Sequence, residues 1–194
     1  MKPWTLIAAN ILLFDALWTL AVFGAGTPWW WLAPLLIGCS AAVQLRWSPA
    51  PAAEALLILA GAAVGVTLDS VSASLGLFRY VSSSRTEFMI VFLALWANFG
   101  TTLRPSLRWI WRRPLVGALF GALGGPLAYW TASRIGAITP IEPAWRALAW
   151  CSAQYAAAVP LWCAAAASVL SEPRERAGPP SSNAPPRTPR TPPS

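Results

Sequence analysis

The sequence predicts an all-α, polytopic integral membrane protein: a bundle of about six transmembrane helices with both termini in the cytoplasm. Three observations predict it. Of 194 residues, 56% are apolar and only 11% charged, where a soluble domain carries about a quarter charged residues. The apolar residues gather in runs of about 17 to 25, the length that crosses a hydrocarbon core of roughly 30 Å at 1.5 Å per helical residue. The basic residues fall unevenly on the two sets of loops between those runs. The same composition excludes a disordered chain, a disulfide scaffold and a soluble enzyme with a histidine base, because the chain has no histidine and only three cysteines, Cys39, Cys151 and Cys163.

The first run covers residues 4–23. Lys2 ahead of it would also suit a cleaved signal peptide, but the stretch is too long for a signal core and holds Asp15 in its middle. It therefore reads as the first span. Gly24, Gly26 and Pro28 punctuate the way to the second span, 29–45, and Pro49 and Pro51 separate that from the third, 52–68. Spans four, five and six are expected at 88–103, 114–132 and 143–170. Spans two to four are near the short limit, so five or seven helices fit the sequence too. These spans form one domain, 1–171. Residues 172–194 hold eight of the nineteen prolines with Ser, Thr and Arg. That composition cannot bury enough apolar surface to offset ordering entropy, so a disordered cytoplasmic tail is expected.

Lys and Arg in short loops set orientation. With the amino terminus inside, ten basic residues are cytoplasmic: Lys2, Arg46, Arg104, Arg108, Arg112 and Arg113, and four in the tail. Four lie outside: Arg79, Arg85, Arg134 and Arg146. The net charge of +7 is thereby read as topology. Nucleic-acid binding is excluded because the arginines hug membrane boundaries. Ten of the thirteen tryptophans fall near the expected boundaries, where amphipathic rings anchor helices, leaving Trp18, Trp96 and Trp162 deep.

Gly117, Gly121 and Gly125 share one face of span five at four-residue spacing, and Gly61 and Gly65 repeat the pattern in span three. Missing side chains let helices approach closely in lipid. The face serves either internal packing or a second helix, from a homodimer or a membrane-protein partner.

Ionisable residues inside a bilayer are the sharpest functional signal, since inserting one costs at least ~2–3 kcal/mol. Asp15 is expected near the midplane, either protonated or hydrogen-bonded to polar neighbours, for which Asn98 and Thr101 of span four are the candidates. Asp69 is expected at the outer end of span three, Tyr129 near the outer end of span five and Gln154 about a third of the way into span six. These residues either line one outer-half polar cavity for a small or lipidic ligand, or make separate helix-to-helix and boundary hydrogen bonds. No metal-ligand cluster, phosphate-cradling glycine loop or nucleophile elbow is present, so neither cofactor nor metal is expected and no enzymatic reaction is evident.

The stretch Leu95-Trp96-Ala97-Asn98-Phe99-Gly100-Thr101-Thr102-Leu103-Arg104-Pro105-Ser106-Leu107-Arg108-Trp109, with Gly124-Gly125-Pro126-Leu127-Ala128-Tyr129, Arg134-Ile135-Gly136-Ala137 and Gly65-Val66-Thr67-Leu68-Asp69-Ser70, resembles a bacterial family. That family is the membrane proteins catalogued as domain of unknown function 2878. Pro105 stands where the family pattern has Asn. The resemblance implies a bacterial inner-membrane protein of unsettled activity, and the family's association with fatty-acyl-modifying enzymes implies a lipid-linked role. An intramembrane lipid-modifying enzyme or accessory subunit is the alternative reading, and a structural subunit docking a partner through its glycine faces is another.

Overall fold

The computed structural model describes residues 3–171. The tail expected at 172–194 lies outside the described residues. Within them the chain is mostly helical, with six α-helices: α1 (Pro3–Gly24), α2 (Leu32–Arg46), α3 (Pro51–Ser74), α4 (Arg85–Gly100), α5 (Pro114–Ile135) and α6 (Ala144–Leu170). Two short strands, β1 (Phe78–Tyr80) and β2 (Ile138–Pro140), follow α3 and α5. Helices α1, α3, α5 and α6 are long and apolar enough to cross a membrane. Helix α2 has 15 residues and α4 has 16, or about 22 and 24 Å at 1.5 Å per residue.

Local chemistry sets the helix ends. Proline at the first position opens α3 and α5, where a missing N–H costs nothing. Ser84 caps α4 by accepting from the Glu87 N–H at 3.1 Å. The Glu87 carboxylate accepts in turn from the Ser83 and Gly26 N–H groups, each at 2.7 Å. This capping arrangement also ties the α1–α2 turn to the start of α4. Helix α3 continues six residues past the expected end at 68, because Ser70, Ser72 and Ser74 return their hydroxyls to the carbonyls of Val66, Leu68 and Val71. Polar residues that satisfy themselves this way are carried inside a helix. Helix α4 ends at Gly100, three residues before the expected 103, and a 3₁₀ turn at Arg108–Ile110 lies on the way to α5.

Both internal prolines sit inside continuous helices. Pro126 cannot donate to the Ala122 carbonyl one turn earlier; the Ser152 hydroxyl of α6 donates to it instead, at 2.8 Å. Trp111, expected as a boundary anchor, is buried and its indole donates to the Leu103 carbonyl at 3.0 Å.

Strands β1 and β2 pair antiparallel, with Phe78 opposite Pro140, Arg79 opposite Thr139 and Tyr80 opposite Ile138. Since both strands follow directly on their helices, α3 and α5 run toward the same end of the bundle and α4 and α6 return from it. The two helix–strand–helix units match at a displacement of 60 residues: Gly61, Gly65 and Gly76 correspond to Gly121, Gly125 and Gly136. Their turns agree bond for bond. Leu77 N–H reaches Ser72 O and Ala137 N–H reaches Ala132 O; Val81 N–H reaches Ala137 O and Ile141 N–H reaches Leu77 O, all at 2.9–3.1 Å. The Gly76 and Gly136 backbones both have positive φ, 67° and 91°, which glycine adopts without strain. A pseudo-two-fold axis therefore runs along the helices, through the Arg79–Thr139 pair.

Candidate functional site

The site lies on that axis, below the paired strands. Asp69 of α3 and Tyr129 of α5 occupy equivalent places in the two units, and the Tyr129 hydroxyl donates to Asp69 Oδ1. Trp96 of α4 donates its indole N–H to Asp69 Oδ2 at 2.6 Å. One residue is missing from the loop after β2, so Tyr155 of α6 is the counterpart of Trp96, and the two rings stack with centroids 4.9 Å apart and planes 28° from parallel. Both aromatics rest where glycine leaves room: a Cβ on Gly65 would overlap the Trp96 indole, and one on Gly125 the Tyr155 ring.

Asp69, expected at the outer end of span three, is 1% exposed. The extension of α3 to Ser74 puts it within the bundle, and a carboxylate there needs the donors it has. Asn98 does not pair with Asp15; its amide donates to the Phe14 carbonyl at 3.0 Å, and the Thr101 hydroxyl returns to Asn98 O at 2.7 Å. Gln154 instead joins α6 to α3, donating to Leu68 O and accepting from the Ser72 hydroxyl, both at 3.2 Å. The Trp150 indole donates to the same hydroxyl at 3.0 Å. Asp15 is exposed, and among the described residues no hydrogen bond or ion pair is found for it.

A cavity of about 420 Å³ opens beside the Asp69–Tyr129 pair, bounded by α1, α4, α5 and the strands. Of the six residues expected to share a cavity, Asp15, Asp69 and Tyr129 line it; Asn98, Thr101 and Gln154 do not. Gly121 and Gly125 are also in its wall. Asp15, Phe120 and Leu127 are both exposed and lining, so its mouth lies between α1 and α5 on the side of the bundle. Trp96, Tyr155 and Tyr80 belong to the site and were not expected there. For Trp96 the signal was its depth, for Tyr155 it was only the repeat, and Tyr80, whose counterpart in the second unit is Pro140, carried no signal. The Tyr80 hydroxyl is buried with no hydrogen-bond partner among the described residues. Burial, reinforced by the Asp69 carboxylate, holds its phenol above the usual range, so it remains a donor.

The glycine faces are taken up inside the molecule. Gly121 abuts the Tyr155 carbonyl, Gly61 lies under the Trp162 indole, and a Cβ on Gly117 would lie 3.3 Å from Pro160 Cα. Trp162 also donates to the Leu57 carbonyl at 3.1 Å.

The family model described as Protein of unknown function (DUF2878) matches residues 7–161. No curated protein and no solved structure matches the chain.

Proposed function

As the chain belongs to the DUF2878 family of unknown function, we propose its role from the site: it binds or transports a small or lipidic ligand in the cavity beside Asp69 and Tyr129. The observation that carries this is an apolar chamber of about 420 Å³ with a buried, fully hydrogen-bonded carboxylate in its wall. Sites of about 300–1,000 Å³ with a few convergent polar groups are typical of small ligands. The reading includes six crossings of a bacterial inner membrane with both termini inside. Ten basic residues against four support that orientation, and it puts the strands and the cavity in the outer half.

Purified protein in detergent should unfold at a higher temperature when the ligand extracted from its own membranes is added back. Leu95→Trp, which fills the chamber from α4, should abolish that shift. A shift surviving in Leu95→Trp would place the ligand elsewhere. The Asp69–Tyr129 pair also favours a second reading, intramembrane lipid chemistry. On that reading, Tyr129→Phe should change the host's lipid profile as deletion does.

A further inference from the structure

The cavity combines an aromatic wall with acidic side chains. Nine aromatic side chains line it, and its ionisable side chains are Asp15, Asp69 and three tyrosines, with no Lys or Arg among the described lining residues. Asp69 is spoken for by Trp96 and Tyr129. Asp15 is not: it stands at the mouth, mid-helix in α1, and no side chain or backbone group of the described residues bonds to it. A carboxylate within a bilayer pairs with a counter-charge or faces a pathway, and no counter-charge meets it among the described residues.

The surroundings of Asp15 suit a particular ion. Trp18 is one turn along the same helix face, and Phe14 lies 6.2 Å from Phe99 of α4, centroid to centroid. Ring faces carry negative potential and attract cations, most strongly where water is excluded. An anion would meet two carboxylates and ring faces at once. An apolar ligand can enter from the hydrocarbon side, since the mouth opens between α1 and α5.

We propose that the cavity is a binding site for a lipophilic cation, an organic ammonium or phosphonium with an apolar body, whose charge is paired by Asp15 and faced by the aromatic wall. The proposal rests on the ligand-binding reading above and adds the sign and class of the ligand. It differs from that reading in predicting discrimination by charge at constant shape.

Tetraphenylphosphonium and tetraphenylborate have nearly the same shape and opposite charge, and triphenylphosphine oxide is a neutral relative. Titrated into the full-length chain in a neutral detergent and followed by tryptophan fluorescence and calorimetry, the phosphonium should bind saturably, at least tenfold tighter than the other two. Asp15→Asn should weaken the phosphonium at least tenfold and leave the phosphine oxide unchanged, and Asp15→Glu should restore much of the loss. Leu95→Trp should weaken both. Thermal unfolding of each variant checks that the fold persists. Equal or tighter binding of the borate or phosphine oxide, blocked by Leu95→Trp but indifferent to Asp15→Asn, overturns the cation assignment and leaves the cavity reading standing. Binding of no probe, or binding indifferent to Leu95→Trp, overturns both.

Discussion

At the scale of single residues, the arrangement around Asp69 shows how a buried carboxylate is kept. Trp96 can only donate, so its indole commits Asp69 Oδ2 as an acceptor. Trp96→Phe keeps the ring's packing and removes that donor; a buried acceptor left unsatisfied costs about 1–3 kcal/mol. Such a loss should be read as a lower unfolding temperature in detergent. Gly65→Ala tests the same feature from beneath, since its Cβ would displace the indole, and it should destabilise more than Gly38→Ala, where a Cβ meets open space. Asp69 itself was legible in the sequence as a polar residue within an apolar region. Its burial was not, because the helix outruns its apolar stretch by the self-satisfied serines 70, 72 and 74.

At the scale of elements, the two helix–strand–helix units build two related clefts about one axis, and the difference between the clefts makes the cavity. Between α3 and α6, Trp150 and Gln154 bridge to Ser72 and Leu68. Their counterparts between α5 and α4 are Val91 and Leu95, facing Ala132 and Ala128, and all four line the chamber. Hydrogen-bonding groups close one cleft, and short apolar ones leave the other open. Trp150→Val with Gln154→Leu should therefore open a second chamber, detected as a second equivalent of bound probe. The paired changes also remove Ser72's side-chain partners from α6, so some loss of thermal stability is expected with it. Sequence reading found the repeated glycine spacing at 61/65 and 117/121/125, yet the duplication emerges only when the strand register brings Gly76 and Gly136 into equivalence, since few other identities survive between the units.

At the scale of the whole molecule, the long apolar helices turn apolar side chains outward, with Leu12 69%, Leu115 84% and Leu161 70% exposed, while Glu54, Asp69, Glu87 and Asn98 are buried. In water that distribution would be ruinous; in hydrocarbon it is the stable one, since polar groups must find partners inside the protein. Arg104 meets Glu54 at 3.3 Å at the end away from the strands, and Gln44 donates to the same carboxylate at 2.7 Å. The helix ends and loops at this end carry Arg46, Arg104, Arg108, Arg112 and Arg113. On the proposed orientation, a reporter enzyme active only outside the inner membrane should be silent when fused to the carboxyl end and active when inserted in the loop at 75–77. The reverse result would invert the topology.

The sequence by itself determined the class of protein, the presence of six helical segments and the residues that do not belong in lipid, because hydrocarbon solvent imposes composition, length and charge placement locally. Tertiary structure alone decided which polar residues meet. Gln154 is level with Asp69 but faces the other cleft, a property of how helices are rotated against one another, whereas Asn98 and Thr101 lie farther from the strands, where Gly100 packs on Ile58, eleven residues before Asp69 in α3. That rotation is set by glycine-to-aromatic contacts such as Gly65 with Trp96, and by the strand pairing across the axis, both of which join residues far apart in the chain.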